Sequence, residues 1–215
     1  MNSPSHVQLV RHQHGKHPRD KGNPDCGDFQ TLYTERMTRT ALQDHSIVLI
    51  GLMGAGKTTV GRRLAAAMER PFADADHEIE RAAGRTVSDI FEDFGEAAFR
   101  DGERRVIARL LDEPPMVLAL GGGAFVDRQT RALVKERAIS IWLQADVGTL
   151  AARVGRRDTR PLLREGDPAV ILGRLLETRQ PAYAEADIHI DASAGTHQAT
   201  AEAILAALQA RETDA

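Results

Sequence analysis

Ile47-Val48-Leu49-Ile50-Gly51-Leu52-Met53-Gly54-Ala55-Gly56-Lys57-Thr58 is an apolar run that passes through a glycine-rich turn into a lysine and a threonine. The last eight residues fit G-x-x-x-x-G-K-[ST], and the four before them read as a buried strand. Lys57 to Glu69 follow as a helix with Val60, Leu64, Ala67 and Met68 on one face. Strand, loop and helix in that order make a phosphate-binding loop. Its glycines let the backbone wrap closely and turn N–H groups inward, while the helix N-terminus adds a favourable dipole. Gly54, Ala55, Gly56, Lys57, Thr58 and Thr59 are thus the expected nucleotide-binding residues. Lys57 is expected to reach the β- and γ-phosphates, and the Thr58 hydroxyl to ligate Mg²⁺. The loop specifies a nucleotide and a metal, and leaves GTPase, ATPase, nucleotide kinase and metabolite kinase open.

Outward from this loop, short apolar runs alternate with longer amphipathic ones, the pattern of parallel strands joined by crossover helices. Strands are expected at Ile47–Ile50, Pro71–Asp74, Met116–Leu120, Ile139–Leu143 and Asp187–Asp191. Further helices are expected over Val87–Leu111, broken near Gly95, and over Arg128–Arg137, Val147–Arg153, Asp167–Thr178 and Thr196–Arg211. The fold class is therefore α/β, a three-layer sandwich around a five-stranded parallel sheet. Ligands bind such sheets beyond the carboxyl ends of the strands. Trp142, Phe91, Phe94 and Phe99 read as packing residues, and Arg104, Arg105 and Arg109 as a solvated helix face. His77 and His189 lack metal-ligand spacing.

The chain has 215 residues and a formal charge of −3, so a general nucleic-acid binder is excluded by its charge balance. The lone Cys26 cannot form an internal disulfide, and no run approaches the roughly 18 apolar residues of a membrane span. A cytoplasmic monomer acting on a small molecule, without nucleic-acid or membrane partners, is expected. Residues 1–45 carry His6, His12, His14 and His17 without a sustained apolar period and read as a disordered extension. No carboxylate or cysteine pattern completes a metal site among those histidines. The abrupt change of character after residue 45 makes Met37 a candidate start, and residues 46–215 the folded domain.

A nucleotide loop needs an acid near its metal, and the third strand supplies none: Leu118, Ala119 and Leu120 lead into Gly121, Gly122 and Gly123. Asp74, Ala75 and Asp76 follow the second strand directly. In an extended segment both carboxylates face one side, so one can hold the metal while the other orients or deprotonates an acceptor hydroxyl. Alternatively, Asp76 caps a helix that begins at His77. The segment 155–167, with two glycines and Arg160-Pro161, reads as a lid whose closure excludes water.

With the loop come T-V-G-R-R-L-A at Thr59, D-A-D-x-x-I-E at Asp74, F-R-x-x-E at Phe99, L-G-G-G at Leu120, R-P-L-L at Arg160 and R-x-P-x-Y at Arg179. In this order and spacing the chain resembles the shikimate kinase family from about Ile47 to the C-terminal helix. The resemblance implies membership of the nucleoside monophosphate kinase group of P-loop folds. It implies transfer of the γ-phosphoryl of ATP to the 3-hydroxyl of shikimate, giving ADP and shikimate 3-phosphate on the route to chorismate and the aromatic amino acids. By resemblance, Asp76 binds the hydroxyls and is the candidate base, Arg100 and Arg179 clamp the carboxylate, and Asp74 is the acid on the metal side. Gly122 and Gly123 would bring N–H groups against the substrate where a side chain would obstruct. Arg160 is implied to reach the transferring phosphate, and Arg153 to stack on adenine, with Arg156 and Arg157 as near competitors. Glu103 is either the acid that steadies Arg100 or an ordinary solvated charge. Another metabolite kinase, such as a gluconate kinase, and a non-catalytic nucleotide-binding module are the rival readings.

Overall fold

The computed structural model describes residues 44–154 and 166–213, apart from the side chain of residue 212. The histidines of the N-terminal extension, Cys26, Met37, and the lid residues 155–165 with Arg156, Arg157 and Arg160 lie outside the described residues. Along the chain run β1 (Ser46–Ile50), α1 (Lys57–Ala67), β2 (Phe72–Asp74), α2 (Ala75–Ala83), α3 (Val87–Leu111) and β3 (Val117–Ala119). A 3₁₀ turn (Ala124–Val126), α4 (Arg128–Arg137), β4 (Ala138–Gln144), α5 (Val147–Val154), α6 (Pro168–Tyr183), β5 (Ile188–Asp191) and α7 (His197–Thr213) follow. The five strands form one parallel sheet in the order β2-β3-β1-β4-β5.

Every residue of β1 is buried. Successive strand residues point to opposite faces, so helices must cover both, and β1 can be apolar without interruption. The expected α/β sandwich and all five strands are present, with ends shifted by one residue in most cases. In register, Leu49 of β1 lies level with Ala119 of β3, and Ala119 with Asp74 of β2. The carboxyl ends of three adjacent strands therefore finish at one height, which is where the site forms.

Three helices depart locally from expectation. Helix α1 stops at Ala67, where Glu69 turns left-handed (φ 53°) and the Arg70 N–H closes on the Ala65 carbonyl at 2.9 Å. Helix α6 runs past Thr178 to Tyr183 with Pro181 inside it, although a proline there reads as a terminator. Helix α2 begins at once after β2, in a segment read as extended. Helix α3 starts at a capping box of Thr86 and Asp89 and breaks at Gly95 (φ 78°), as expected. Phe94, beside that break, is 59 % exposed and lies under the Arg85 guanidinium at 5.6 Å instead of joining Phe91 and Phe99, which corrects its reading as a packing residue. Phe91 and Phe99 do pack, with ring centroids 4.4 Å apart. Phe99 joins Ile79 and Ile90 in a cluster that fixes α2 against α3, and this holds the neighbouring Arg100 in place.

Ser140 ties β4 to the start of β5. Its N–H and hydroxyl donate to Asp187 Oδ2 at 2.9 and 2.6 Å, and the Asp187 N–H returns to Ser140 Oγ at 3.0 Å. Burial works to raise the Asp187 carboxyl, but the Ser140 donors and Arg211 outweigh it and hold it below its ordinary value. The folded chain thus favours the charged form. That stability is present above the unfolded value of about 3.9 and is lost as pH falls through the depressed one. Asp187→Asn is expected to lower Tm by about 3 °C at pH 7, from a loss of about 1 kcal/mol, and by less at pH 3. Calorimetry showing equal losses at both pH values would contradict this.

Candidate active site

The turn between β1 and α1 is built by backbone conformations that only glycine adopts cheaply: Gly54 at φ 84° and Gly56 at φ 92°. Lys57, the first residue of α1, donates from Nζ to the carbonyl oxygens of Gly51 (2.8 Å) and Leu52 (3.0 Å). Its ammonium therefore lies across the loop. Gly54, Gly56, Lys57, Thr58, Thr59 and Arg153 line one cleft of about 250 Å³. Ala55 is buried within the loop, with its N–H on the Leu52 carbonyl at 3.2 Å, and does not line this cleft.

The acid missing from β3 comes from its neighbour. Thr58 Oγ1 donates to Asp74 Oδ2 at 2.7 Å, and Asp74 ends β2 level with Ala119. A hydroxyl and a carboxylate are hard oxygen donors. Two protein oxygens that leave room for phosphate oxygens and waters are the set Mg²⁺ favours.

Asp76 also lines the cleft, together with Lys57 and Thr58, but not by the geometry the sequence suggested. It sits in the first turn of α2 with Asp74 as the N-cap residue. The two carboxylates are therefore not alternate positions of one strand. Asp74 makes no side-chain cap bond, so neither acid acts as a helix cap of the expected kind.

The three glycines after β3 are needed for space. A Cβ on Gly121 would meet Asp76 Oδ1 at 2.5 Å, one on Gly122 would meet Arg179 Nη1 at 3.1 Å, and one on Gly123 would meet Arg100 Nη2 at 2.5 Å. Each bare glycine face thus receives one candidate substrate residue. A side chain at any of the three positions would obstruct Asp76, Arg179 or Arg100 themselves. Gly121, which the sequence reading left out of the site, belongs in it on equal terms.

Arg100 and Arg179 line a second hollow of about 320 Å³ with Gly123, Asp127 and Glu96. This hollow adjoins the phosphate-loop cleft across the Gly122–Gly123 turn. Glu103 is 1 % exposed and accepts from Arg100 Nη1 at 2.6 Å, which settles its role as the steadying acid. Burial pushes the Glu103 carboxyl up, Arg100 pulls it down, and the charges of Asp76 and Asp127 add to the rise. Burial disfavours the Arg100 charge, yet Glu103 and Glu96 hold that guanidinium above its ordinary value. The result is a cation fixed at the base of the hollow. Arg104, by contrast, is only partly solvated, pairing with Asp101 at 3.3 Å.

At the far end of the cleft, Arg153 Nη2 donates to the Ser193 carbonyl at 3.5 Å, so the loop after β5 adjoins the arginine expected to meet adenine. His197 lines the same wall, its ring about 3.0 Å from where a Cβ on Gly56 would stand. Sequence reading missed His197. Its place just beyond the carboxyl end of a strand was the available signal.

The sequence model of the family described as shikimate kinase matches residues 53–209. A shikimate kinase of Caulobacter vibrioides is 60 % identical over 168 residues, covering 78 % of this chain and 84 % of that protein. One of Paramagnetospirillum magneticum is 56 % identical over 182 residues, covering 84 % and 90 %. The solved shikimate kinase of Acinetobacter baumannii in complex with shikimate matches with a TM-score of 0.76 at 40 % identity, covering 80 % of this chain and 96 % of that one. Loop, acids and paired arginines stand in one constellation, and sequence and fold agree with it: the chain belongs to the shikimate kinase family.

Proposed function

We infer that the chain transfers the γ-phosphoryl group of ATP to the 3-hydroxyl of shikimate, and that it does so across the Gly121–Gly123 turn. The observation that carries this reading is the pair of hollows meeting there: a phosphate loop with Asp76 on one side, and Arg100 with Arg179 on the other. Phosphoryl transfer leaves a protein little covalent chemistry, so positioning and charge stabilisation do the work. The loop amides and Lys57 hold the phosphates. Asp76 aligns the acceptor hydroxyl and takes its proton. The two guanidiniums grip the carboxylate, the anion their planar donors suit, and Glu103 keeps Arg100 from rotating away.

Mg²⁺, held by Thr58 and Asp74, would neutralise charge on the β- and γ-phosphate oxygens. Arg160, on the lid at residues 155–167, reaches the transferring group in this reading, and Arg153 stacks on the adenine. In this reading the enzyme acts as a monomer. No helix of the described residues is long and apolar enough to cross a membrane. The single Cys26 supports a cytoplasmic location, and the charge balance of −3 a small-molecule rather than a nucleic-acid partner.

ADP release measured with shikimate, gluconate and nucleoside monophosphates tests the acceptor. Turnover with shikimate alone is expected. Comparable turnover with gluconate would transfer the site to the rival kinase, and none with any acceptor would leave a binding module. Arg179→Ala is expected to raise KM for shikimate by at least roughly thirtyfold, a loss of about 2 kcal/mol or more, with KM for ATP changed less than about threefold. Equal losses for both ligands in steady-state kinetics would remove Arg179 from the acceptor site.

A further inference from the structure

Tyr183 ends α6 at 1 % exposure, and nothing in the reaction described above uses it. Its ring packs beside Trp142 of β4, with centroids 5.7 Å apart. Its hydroxyl donates to the carbonyl oxygen of Gly122, 61 residues away in the chain. A buried tyrosine makes such a bond to avoid an unsatisfied hydroxyl, but the partner chosen here is the middle residue of the glycine turn.

Arg179 stands four residues earlier on the same helix, the spacing that stacks two side chains on one face. Its Nη1 lies against the bare face of that same Gly122, 3.1 Å from where a Cβ would be. Burial pushes the Tyr183 phenol up, while the Arg179 charge pulls it down. The net rise keeps the phenol protonated at working pH. The protonated phenol donates its hydrogen bond to the Gly122 carbonyl, and a guanidinium, which has only donors, is suited to face the phenol oxygen's remaining lone pairs. Guanidinium and phenol thus converge on one peptide: the phenol bonds the Gly122 carbonyl and the guanidinium lies against the bare Gly122 face.

We propose that Tyr183 is a positioning residue for the acceptor: its hydroxyl fixes the aim of the Arg179 guanidinium and the plane of the Gly122 peptide before shikimate arrives. A free arginine side chain must be ordered by its ligand, and that ordering weakens binding. The hydroxyl removes the cost in advance. It acts through Arg179, so this inference rests on Arg179 holding the substrate carboxylate.

Tyr183→Phe keeps the ring and its packing on Trp142 and deletes only the oxygen. The expected result is a rise of about tenfold in KM for shikimate, with kcat and KM for ATP within about twofold. In an Arg179→Ala background the same substitution is expected to change KM for shikimate by less than about twofold, because neighbours that act as one unit are not additive. Destabilisation alone would not produce that split. An unchanged KM for shikimate in Tyr183→Phe overturns the proposal, as does a tenfold rise that persists without Arg179. If Arg179→Ala itself leaves KM for shikimate unaltered, the carboxylate reading falls, and that outcome is distinct from a failure of Tyr183 alone.

Discussion

Lys57→Met is expected to lower kcat by about 10²- to 10³-fold while the chain remains folded. The reasoning starts from charge. As the phosphoryl group moves, negative charge spreads over its outer oxygens, and a cation fixed in a site that excludes water stabilises that charge far more than one in solvent. Removing a single fixed donor from such a site typically costs a factor of about 10² to 10³. Lys57 also carries a full positive charge into the loop, bonded to the carbonyls of Gly51 and Leu52. Methionine retains the length and the apolar stem. It abandons two carbonyl acceptors, at about 1 kcal/mol, which corresponds to a fall of roughly 2–4 °C in Tm for a domain of this size. The two effects differ so widely that one preparation separates them: ADP release by coupled assay and unfolding by calorimetry. Normal ADP release from Lys57→Met would remove the residue from the reaction.

The contrast between parts of the site explains how much the sequence could disclose. The phosphate loop was legible because its chemistry is local: an apolar strand, three glycines in positions that need tight turns, and a lysine opening a helix all lie within twelve residues. The strands were legible for a related reason, since burial on both faces leaves β1 with no polar position except Ser46 at its start. What sequence could not show depends on contacts between distant segments. Glu103 was balanced between two readings because its neighbours on α3 are ordinary charged residues. Only the packing of α3 against the glycine turn buries it, with Oε1 3.3 Å from where a Cβ on Gly121 would stand.

Gly121 was missed for the same reason: its need for a bare face arises from Asp76, forty-five positions earlier. Helix α2 is a different case. Asp76 and Glu78 in its first turn are the acids that a helix N-terminus favours, so the signal was present and the extended reading outweighed it. The conclusion that both acids face the loop survived because a strand end and the first helical turn after it share one end of the sheet.

That change of geometry sharpens what Asp76→Asn should do. On a helix, the Asp76 carboxylate is held by a rigid backbone, and the amide of asparagine occupies the same volume with an oxygen still able to align a hydroxyl. What asparagine cannot do is take the proton. If Asp76 works as a base, kcat is expected to fall by about 10² or more, with KM for shikimate changed by less than about threefold. A loss under tenfold in single-turnover kinetics would reduce the residue to an orienting role, and an unchanged rate would exclude it from the reaction.

Electrostatics supplies a second reading of the same variant. Asp76 is one of the charges that raise the Glu103 carboxyl, after burial itself. Neutralising it should lower Glu103 from its present position. The pair with Arg100 would then persist to lower pH, so the acid limb of the shikimate KM profile should move down in Asp76→Asn. Movement of that limb together with a collapse of kcat would establish that one carboxylate serves both halves of the site: it receives the acceptor's proton on one side and sets the charge of the acid behind the carboxylate clamp on the other.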